Sequence, residues 1–304
     1  MRPKVRWEEM FPDELDAALA RRPVVYLTYG LCEPHGLHNA VGLDALKAHA
    51  IACLAAEEHG GIVAPPSFWH VHELGYHAPW AARTIGDRNP WLTAVPPWVL
   101  FKLLWYQLRA VEARGFRAAL VITGHAGSPD DFKRVCEIYM RHRPLRIWAG
   151  GDEEAIDYQD VRGDHAGRCE TSQLWALRPD LVDLSRLVTG SPDEIRRVMA
   201  TGRDAAQSSR RLGEGIVASQ VAYFGRAAAD LLAAYQPPHP EGPRPSSPAP
   251  GNPLGALTFG EAERLWRAEV EPLLPEFSSM NLRANGERTD PTSPWAANEL
   301  SHVE

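Results

Sequence analysis

The sequence predicts an α/β fold: a mostly parallel sheet with helices on both faces. Two observations carry the prediction. Short β-rich apolar runs alternate with helical patterns from the N-terminus to about residue 180, and strand–helix–strand alternation at that spacing builds parallel sheets. Two of the runs, PVVYLTYG (23–30) and RAALVITG (117–124), are apolar almost throughout, as strands buried on both faces are.

The elements follow in order. PVVYLTYG (23–30) reads as a buried strand, and DALKAHAIACLAAEEHG (44–60) as an alanine-rich helix closed by Gly60 and Gly61. GIVAPP (61–66) reads as a second strand stopped by its prolines. VPPWVLFKLLWYQLRAVEARG (95–115) is a long helix with prolines near its start and Gly115 at its end. After RAALVITG, the segment SPDDFKRVCEIYMRHR begins a helix in which Ser128 caps, Pro129 fills the first turn, and Asp130 and Asp131 favour the positive end. PLRIWAGG (144–151) is a further strand, and no internal repeat is present.

The later part has a different texture. SPDEIRRVMA (191–200) and GEGIVASQVAYFGRAAADLLAAY (213–235) read as helices. QPPHPEGPRPSSPAPGNP (236–253) holds eight prolines, too many for helix or sheet, and reads as an extended spacer. Beyond it, Thr258 and Glu261 form a capping box that starts a last helix, followed by a polar tail. The chain therefore divides into residues 1–236, carrying the α/β domain, and 237–304, with linker, helix and tail.

Bulk properties narrow the function. The 304 residues carry a formal charge of −7 and a pI of about 6.0, so no nucleic-acid partner is expected. No apolar run reaches the roughly 20 residues that cross a bilayer, and MRPKVRWEEMFPDEL has no apolar stretch behind its basic residues. Cys32, Cys53, Cys136 and Cys169 are scattered without a CxxC pair, which fits buried thiols in a reducing compartment. A cytoplasmic enzyme with a small-molecule substrate is the expectation.

In open α/β sheets ligands bind at the carboxyl ends of the strands. The segments that follow these strands are LCEPHGLHNAVGLD, the HAGS segment from His125, and GDHAGRCETSQLWALRPDLV. Glu33 and His35 are two apart, so an extended segment points both to one side, and Pro34 holds Glu33 out of helical geometry. Asp44 lies at the start of the next helix, where it either caps the helix or joins a site. Imidazoles and carboxylates without thiolates suit Zn²⁺, Mn²⁺ or Fe²⁺, and Asp44 is the candidate bridge between two ions.

Glu33-Pro34-His35-Gly36 with Asp44, then Gly124-His125-Ala126-Gly127, then His165-Ala166-Gly167 with Glu170-Thr171-Ser172 together resemble the creatininase family. The likeness runs over about residues 20–185. It implies an α/β/α fold, a homo-oligomer (a hexamer), and two divalent metal ions, Zn²⁺ foremost with Mn²⁺ or Fe²⁺ as alternatives, that open cyclic amides, formamides or peptide-like bonds. By resemblance, Glu33, Asp44 and His125 hold one ion, His35, Asp44 and Glu170 hold the other, and His165 is catalytic, moving a proton at the scissile bond. Creatininase has a ligand Glu two residues after the histidine of the middle motif. This chain has Gly127 there, so the carboxylate is assigned to Glu170 and creatinine is not the expected substrate.

Other residues have two readings. His38 contacts substrate or ligands, or is a surface or capping residue. His70, His72 and His77, with Trp69, Tyr76 and Trp80, line a substrate pocket or pack a loop or subunit contact, and Glu73 is a substrate contact or a solvated charge. Arg162, Asp164 and Arg168 bind a charged substrate group or pair locally. Trp98 and Trp105 are core or interface residues. The rival to the enzyme is a non-catalytic relative that keeps the fold as an oligomeric or ligand-binding scaffold.

Overall fold

The computed structural model describes residues 3–72, 93–127, 129–188, 190, 200–237, 255–277 and 279. Among them, the sheet has four strands: β1 (Val24–Tyr29), β2 (Ile62–Val63), β3 (Ala118–Thr123) and β4 (Arg146–Gly151). Their order is β2-β1-β3-β4 and every pairing is parallel. All six residues of β1 and all six of β3 are buried, as two-face burial of central strands requires.

The helices are α1 (Pro12–Arg21), α2 (Leu43–His59), α3 (Pro97–Arg114), α4 (Pro129–His142), α5 (Arg168–Leu177), α6 (Arg210–Ala234) and α7 (Phe259–Glu269). Because side chains alternate along a strand, β1 feeds two cores. Val25, Leu27 and Tyr29 join residues of α3, α4 and α7 on one face. Val24 and Tyr26 join residues of α2 and α6 on the other. The result is the three-layer arrangement that the alternation predicted.

Two boundaries differ instructively. The run 61–66 yields only the two-residue β2, because Pro65 and Pro66 have no N–H to donate. The parallel ladder resumes immediately afterwards: Ser67 N donates to the Thr28 carbonyl at 2.9 Å and Gly30 N to the Ser67 carbonyl at 3.0 Å. Helix α6 starts at Arg210, earlier than its apolar pattern suggests, because Ser209 caps it by accepting from Leu212 N. The helix expected at 191–200 falls, up to residue 199, outside the described residues, as do the Ser128 cap and the spacer from residue 238 to 253.

Helix α7 lies beyond the proline-rich spacer, yet it packs on the α3–α4 face of the sheet. Its N-terminus carries the capping box, with Thr258 accepting from Glu261 N and Glu261 reaching back to Thr258 N. The anchor is Trp105, fully buried, whose indole Nε1 donates to the Ala262 carbonyl at 3.0 Å. Trp105 also meets Tyr139 and Trp266 edge-on, at centroid distances of 5.0 and 6.0 Å, geometry that suits aromatic quadrupoles. Trp105→Ala should therefore lower folding stability by about 3–5 kcal/mol, the range for a large aromatic removed from a core. Chemical denaturation checks this, and a change below about 1 kcal/mol would contradict the packing described.

Candidate metal centre

The site sits at the carboxyl ends of β1 and β3, closed in by the N-termini of α2 and α5. How α2 arrives there is a matter of sterics. A Cβ on Gly30, just after β1, would lie 2.2 Å from Ala45 N, and one on Gly124, just after β3, would lie 2.1 Å from the Asp44 carbonyl oxygen. Only glycine at both strand ends lets the first turn of α2 seat between them. That contact places the Asp44 side chain over the sheet edge. Asp44 does not cap its helix: the N-cap is Gly42, with no side-chain cap bond.

Asp44 instead faces two histidines. Its Oδ1 is 3.0 Å from His35 Nε2 and its Oδ2 is 3.2 Å from His125 Nδ1. His125 Nδ1 is also 2.9 Å from Glu33 Oε1, and His35 Nε2 is 3.6 Å from Glu170 Oε2. The structure thus brings the five predicted ligand residues together. Glu33, Asp44 and His125 form one group, and His35, Asp44 and Glu170 another, with donor atoms in each group within 4.8 Å of one another. Glu33, His35 and His165 make a third such group.

The burial of these groups is what makes the cluster informative. Glu33 is 3% exposed, Asp44 1%, Glu170 6% and His35 0%; isolated carboxylates at such depth are strongly unfavourable without compensating charge. Burial alone would raise the Glu33 and Asp44 pKa values, yet neighbouring imidazoles outweigh it and hold both far below the ordinary range. Burial likewise opposes a charge on His35, but Asp44, Glu170 and Glu33 lift its pKa to about 9. Burial opposes a charge on His125 too, and Glu33 and Asp44 lift it to about 10. The cluster is built to hold positive charge.

A divalent cation fits that requirement. His35 Nδ1 is 3.0 Å from the Glu33 carbonyl oxygen, which can only accept, so Nδ1 carries a proton and Nε2 is the nitrogen left to take either a second proton or a metal ion. That buried Nε2 makes no hydrogen bond although three carboxylates lie within 4 Å of it. Ligands about 2.1 Å from a metal ion stand roughly 3–3.5 Å apart, close to the spacings here. A carbonyl-tied imidazole beside carboxylates is the usual arrangement of a metal-ligating histidine.

His165 is different. Its Nε2 is 3.1 Å from the Pro34 carbonyl oxygen, its Nδ1 is 3.8 Å from Glu33 Oε1, and its ring lies 4.5 Å from that of His35. Its side chain is 34% exposed, whereas that of Glu33 is 4% exposed. His165 therefore stands at the open side of the cluster.

Several residues resolve between their two readings. His38 is buried, with its Nε2 3.1 Å from Thr171 Oγ1, so it is neither a surface nor a capping residue. His70 is buried against Phe132 and Thr123, as loop packing. His72 Nε2 lies 2.9 Å from Glu33 Oε2, tying the oxygen that His125 does not face. Asp164 accepts from the backbone N of Gly167, Cys169 and Glu170, which anchors the start of α5. Trp105 is core. The loop residues Glu73, Tyr76, His77 and Trp80 lie outside the described residues.

Sequence reasoning passed over Lys47. It is 3% exposed and its Nζ lies 2.7 Å from Glu170 Oε1 and 3.3 Å from Asp152 Oδ1. A lysine in a helix reads as a solvated charge; the available signal was its position, one turn after Asp44 on the same helix face. Gly127 has a steric reason as well: a Cβ there would lie 2.5 Å from His125 Nε2 and 3.1 Å from the Val71 carbonyl oxygen. A carboxylate cannot come from that position without moving the His125 ring, whereas Glu170 already reaches the cluster from α5.

Known proteins share this arrangement of chain. Among solved structures, creatinine amidohydrolase (creatininase) superposes with a TM-score of 0.61 at 20% identity, covering 74% of this chain and 97% of that one. A creatininase variant complexed with creatine gives 0.63 at 22%, covering 75% and 98%, and a manganese creatininase gives 0.62 at 22%, covering 75% and 98%. The creatinine amidohydrolase of Pseudomonas putida is 25% identical over 189 residues, which is 56% of this chain and 70% of that protein. The family model for creatininase, described as creatinine amidohydrolase, matches residues 8–229, and the chain belongs to the creatininase family.

Proposed function

We propose that this protein is a metal-dependent amidohydrolase that uses two divalent ions to hydrolyse a C–N bond in a small cyclic amide, a formamide or a short peptide. One observation carries the reading: Asp44 is shared by two groups of three candidate donors, its two oxygens turned to different histidines. Asp44 would then serve both ions. Glu33 and His125 complete one set and His35 and Glu170 the other. The relatives support a metal, since solved creatininases include a manganese form and a Zn–Zn form.

Two ions held there would supply Lewis acidity toward the scissile carbonyl and lower the pKa of a shared water. The chain's own residues do the rest. Asp44, clamped by the approach of α2 at Gly30 and Gly124, fixes the spacing of the two donor sets. The buried walls, with Glu33, His35 and Asp44 nearly free of solvent, exclude bulk water and strengthen every charge interaction. His165, at the open side, is placed to accept a proton from the attacking water and return one to the leaving nitrogen. Its Nε2 contact with the Pro34 carbonyl orients the ring, so Nδ1 is the nitrogen presented to the cluster. Creatinine is not the proposed substrate, because Gly127 replaces the ligand glutamate that creatininase carries there.

The decisive measurement is metal content per chain in protein purified without chelator, read by mass spectrometry. Close to two equivalents of Zn²⁺, Mn²⁺ or Fe²⁺ are expected. No metal, even after soaking with Zn²⁺ or Mn²⁺, would leave only a scaffold. Asp44→Ala should release both ions and abolish hydrolysis while the chain still folds; full metal retention would overturn the ligand set. His165→Ala should retain both ions and lose turnover by 10²–10⁴-fold, the usual worth of general acid–base catalysis. Loss of metal from that variant would make His165 a ligand, through the group it forms with Glu33 and His35.

A further inference from the structure

Behind the cluster lies a second layer of buried charge that the proposed reaction does not use. Lys47 of α2 pairs with Glu170 of α5 and with Asp152, just after β4. Asp152 Oδ2 accepts from Gln173 Nε2 of α5 and Gln220 Nε2 of α6, both at 3.3 Å. Gln220 Nε2 also donates to the Asp152 carbonyl at 2.8 Å, and Gln173 Nε2 to Gln220 Oε1 at 3.0 Å. Lys47, Asp152, Gln173 and Gln220 are all nearly free of solvent. Burial works against the charge on Lys47, but Asp152, Glu170 and Asp44 outweigh it and keep the ammonium protonated.

The consequence falls on Glu170. Its Oε1 accepts from Lys47 Nζ at 2.7 Å, and its Oε2 accepts from Ala166 N at 2.8 Å. Ala166 holds that N–H in place with a φ of +48°, a left-handed conformation that disfavours a non-glycine residue. With Oε1 committed to the ammonium, only Oε2 is turned toward His35, 3.6 Å away. Glu33 is tied in the same manner, with His72 on Oε2 and His125 on Oε1. Each outer carboxylate thus offers the cluster one oxygen and gives the other to a nitrogen behind it.

We infer that Lys47, paired with an Asp152 that Gln173 and Gln220 hold in place, is a positioning residue that makes Glu170 a one-oxygen ligand and so sets the affinity of the second ion, the one held by His35, Asp44 and Glu170. The inference rests on the two-ion reading and adds to it a division of labour: the first ion, held by Glu33, Asp44 and His125, does not depend on Lys47. Groups that orient a ligand from behind are worth 10–100-fold in metal affinity. Removing the ammonium alone would leave two buried carboxylates unpaired, so Lys47→Met combined with Asp152→Asn is the cleaner change. It deletes the cation together with the carboxylate that partners it.

The test is a Zn²⁺ titration of chelator-stripped full-length protein against a chromophoric competitor, resolving both binding steps. Wild-type protein should bind two equivalents. In Lys47→Met/Asp152→Asn the second step should weaken 10–100-fold while the first stays within about threefold, a selectivity that general loosening of the fold would not produce. Glu170→Gln should weaken the second step on its own, and adding the double change to it should weaken that step no further, because Lys47 acts through Glu170. Should the double variant fail to fold, Lys47→Gln combined with Asp152→Asn, which keeps both positions polar while deleting both charges, carries the same expectation. Two steps of unchanged affinity in the variant would overturn the role of Lys47 and leave the two-ion reading intact. A single step in the wild-type protein would overturn both.

Discussion

The seat of α2 against the ends of β1 and β3 is the constraint on which the rest of the molecule turns. Gly30 and Gly124 hold no side chain because Ala45 and the Asp44 carbonyl occupy that space. Moving α2 outward by the width of one methyl group would take Asp44 out of reach of His35 and His125, and Lys47, one turn later, out of reach of Glu170. The same contact closes the core below: Ala48, Ile51, Ala52, Ala55 and Ala56 of α2 pack with Val24, Tyr26, Leu120 and Ile122 of the sheet. The run of alanines in α2 lets the helix lie close to the sheet. Fold and site share one steric solution.

Electrostatics gives that solution its direction. Three carboxylates within one buried cluster are unfavourable in isolation, and the protein balances them in two ways. Nitrogens behind the cluster, from Lys47 and His72, take the far oxygens of Glu170 and Glu33. The imidazoles of His35 and His125, inside it, are pulled toward their charged forms by the same carboxylates. A surface that merely displayed acidic residues would show neither feature. The depth of burial, the unbonded His35 Nε2 and the paired far oxygens all point inward to the same positive charge.

Much of this was legible in the sequence, and the parts that were not have physical reasons. The alternation of strands and helices set the layers, and Glu33-Pro34-His35 declared its geometry, because two residues flanking a proline in an extended segment must face the same way. His125 was readable from its place after β3, and Glu170 from the motif that resembles the family's. Lys47 and His72 were not, since their meaning depends on burial, which a helical lysine or a loop histidine does not advertise. The pattern also cannot tell an amphipathic helix where to dock: α7 reads as an appended helix, yet Trp105 and Trp266 seat it on the sheet's outer layer. The prolines after β2 were read correctly as a stop, while the return of the ladder at Ser67 was not visible because a two-residue gap hides the register.

Gly127 and Glu170 lie on opposite sides of the cluster, and only the second brings a carboxylate to it. A metal cluster specifies donor atoms in space, not the segments they come from. At residue 127 a side chain would collide with the ring of His125, so this chain cannot draw a carboxylate from the loop after β3 while keeping that ring where it is. A glutamate on α5 reaches the same cluster from the opposite side, but it arrives on a helix whose first turn must itself be held. Asp164 accepts from three backbone N–H groups there, and Lys47 and Ala166 fix the two oxygens of the side chain. Holding Glu170 at the cluster thus draws on three neighbours. Ala166 belongs to the same short motif as Glu170, whereas Lys47 comes from another helix, so the hold on Glu170 is only half written beside it in the sequence.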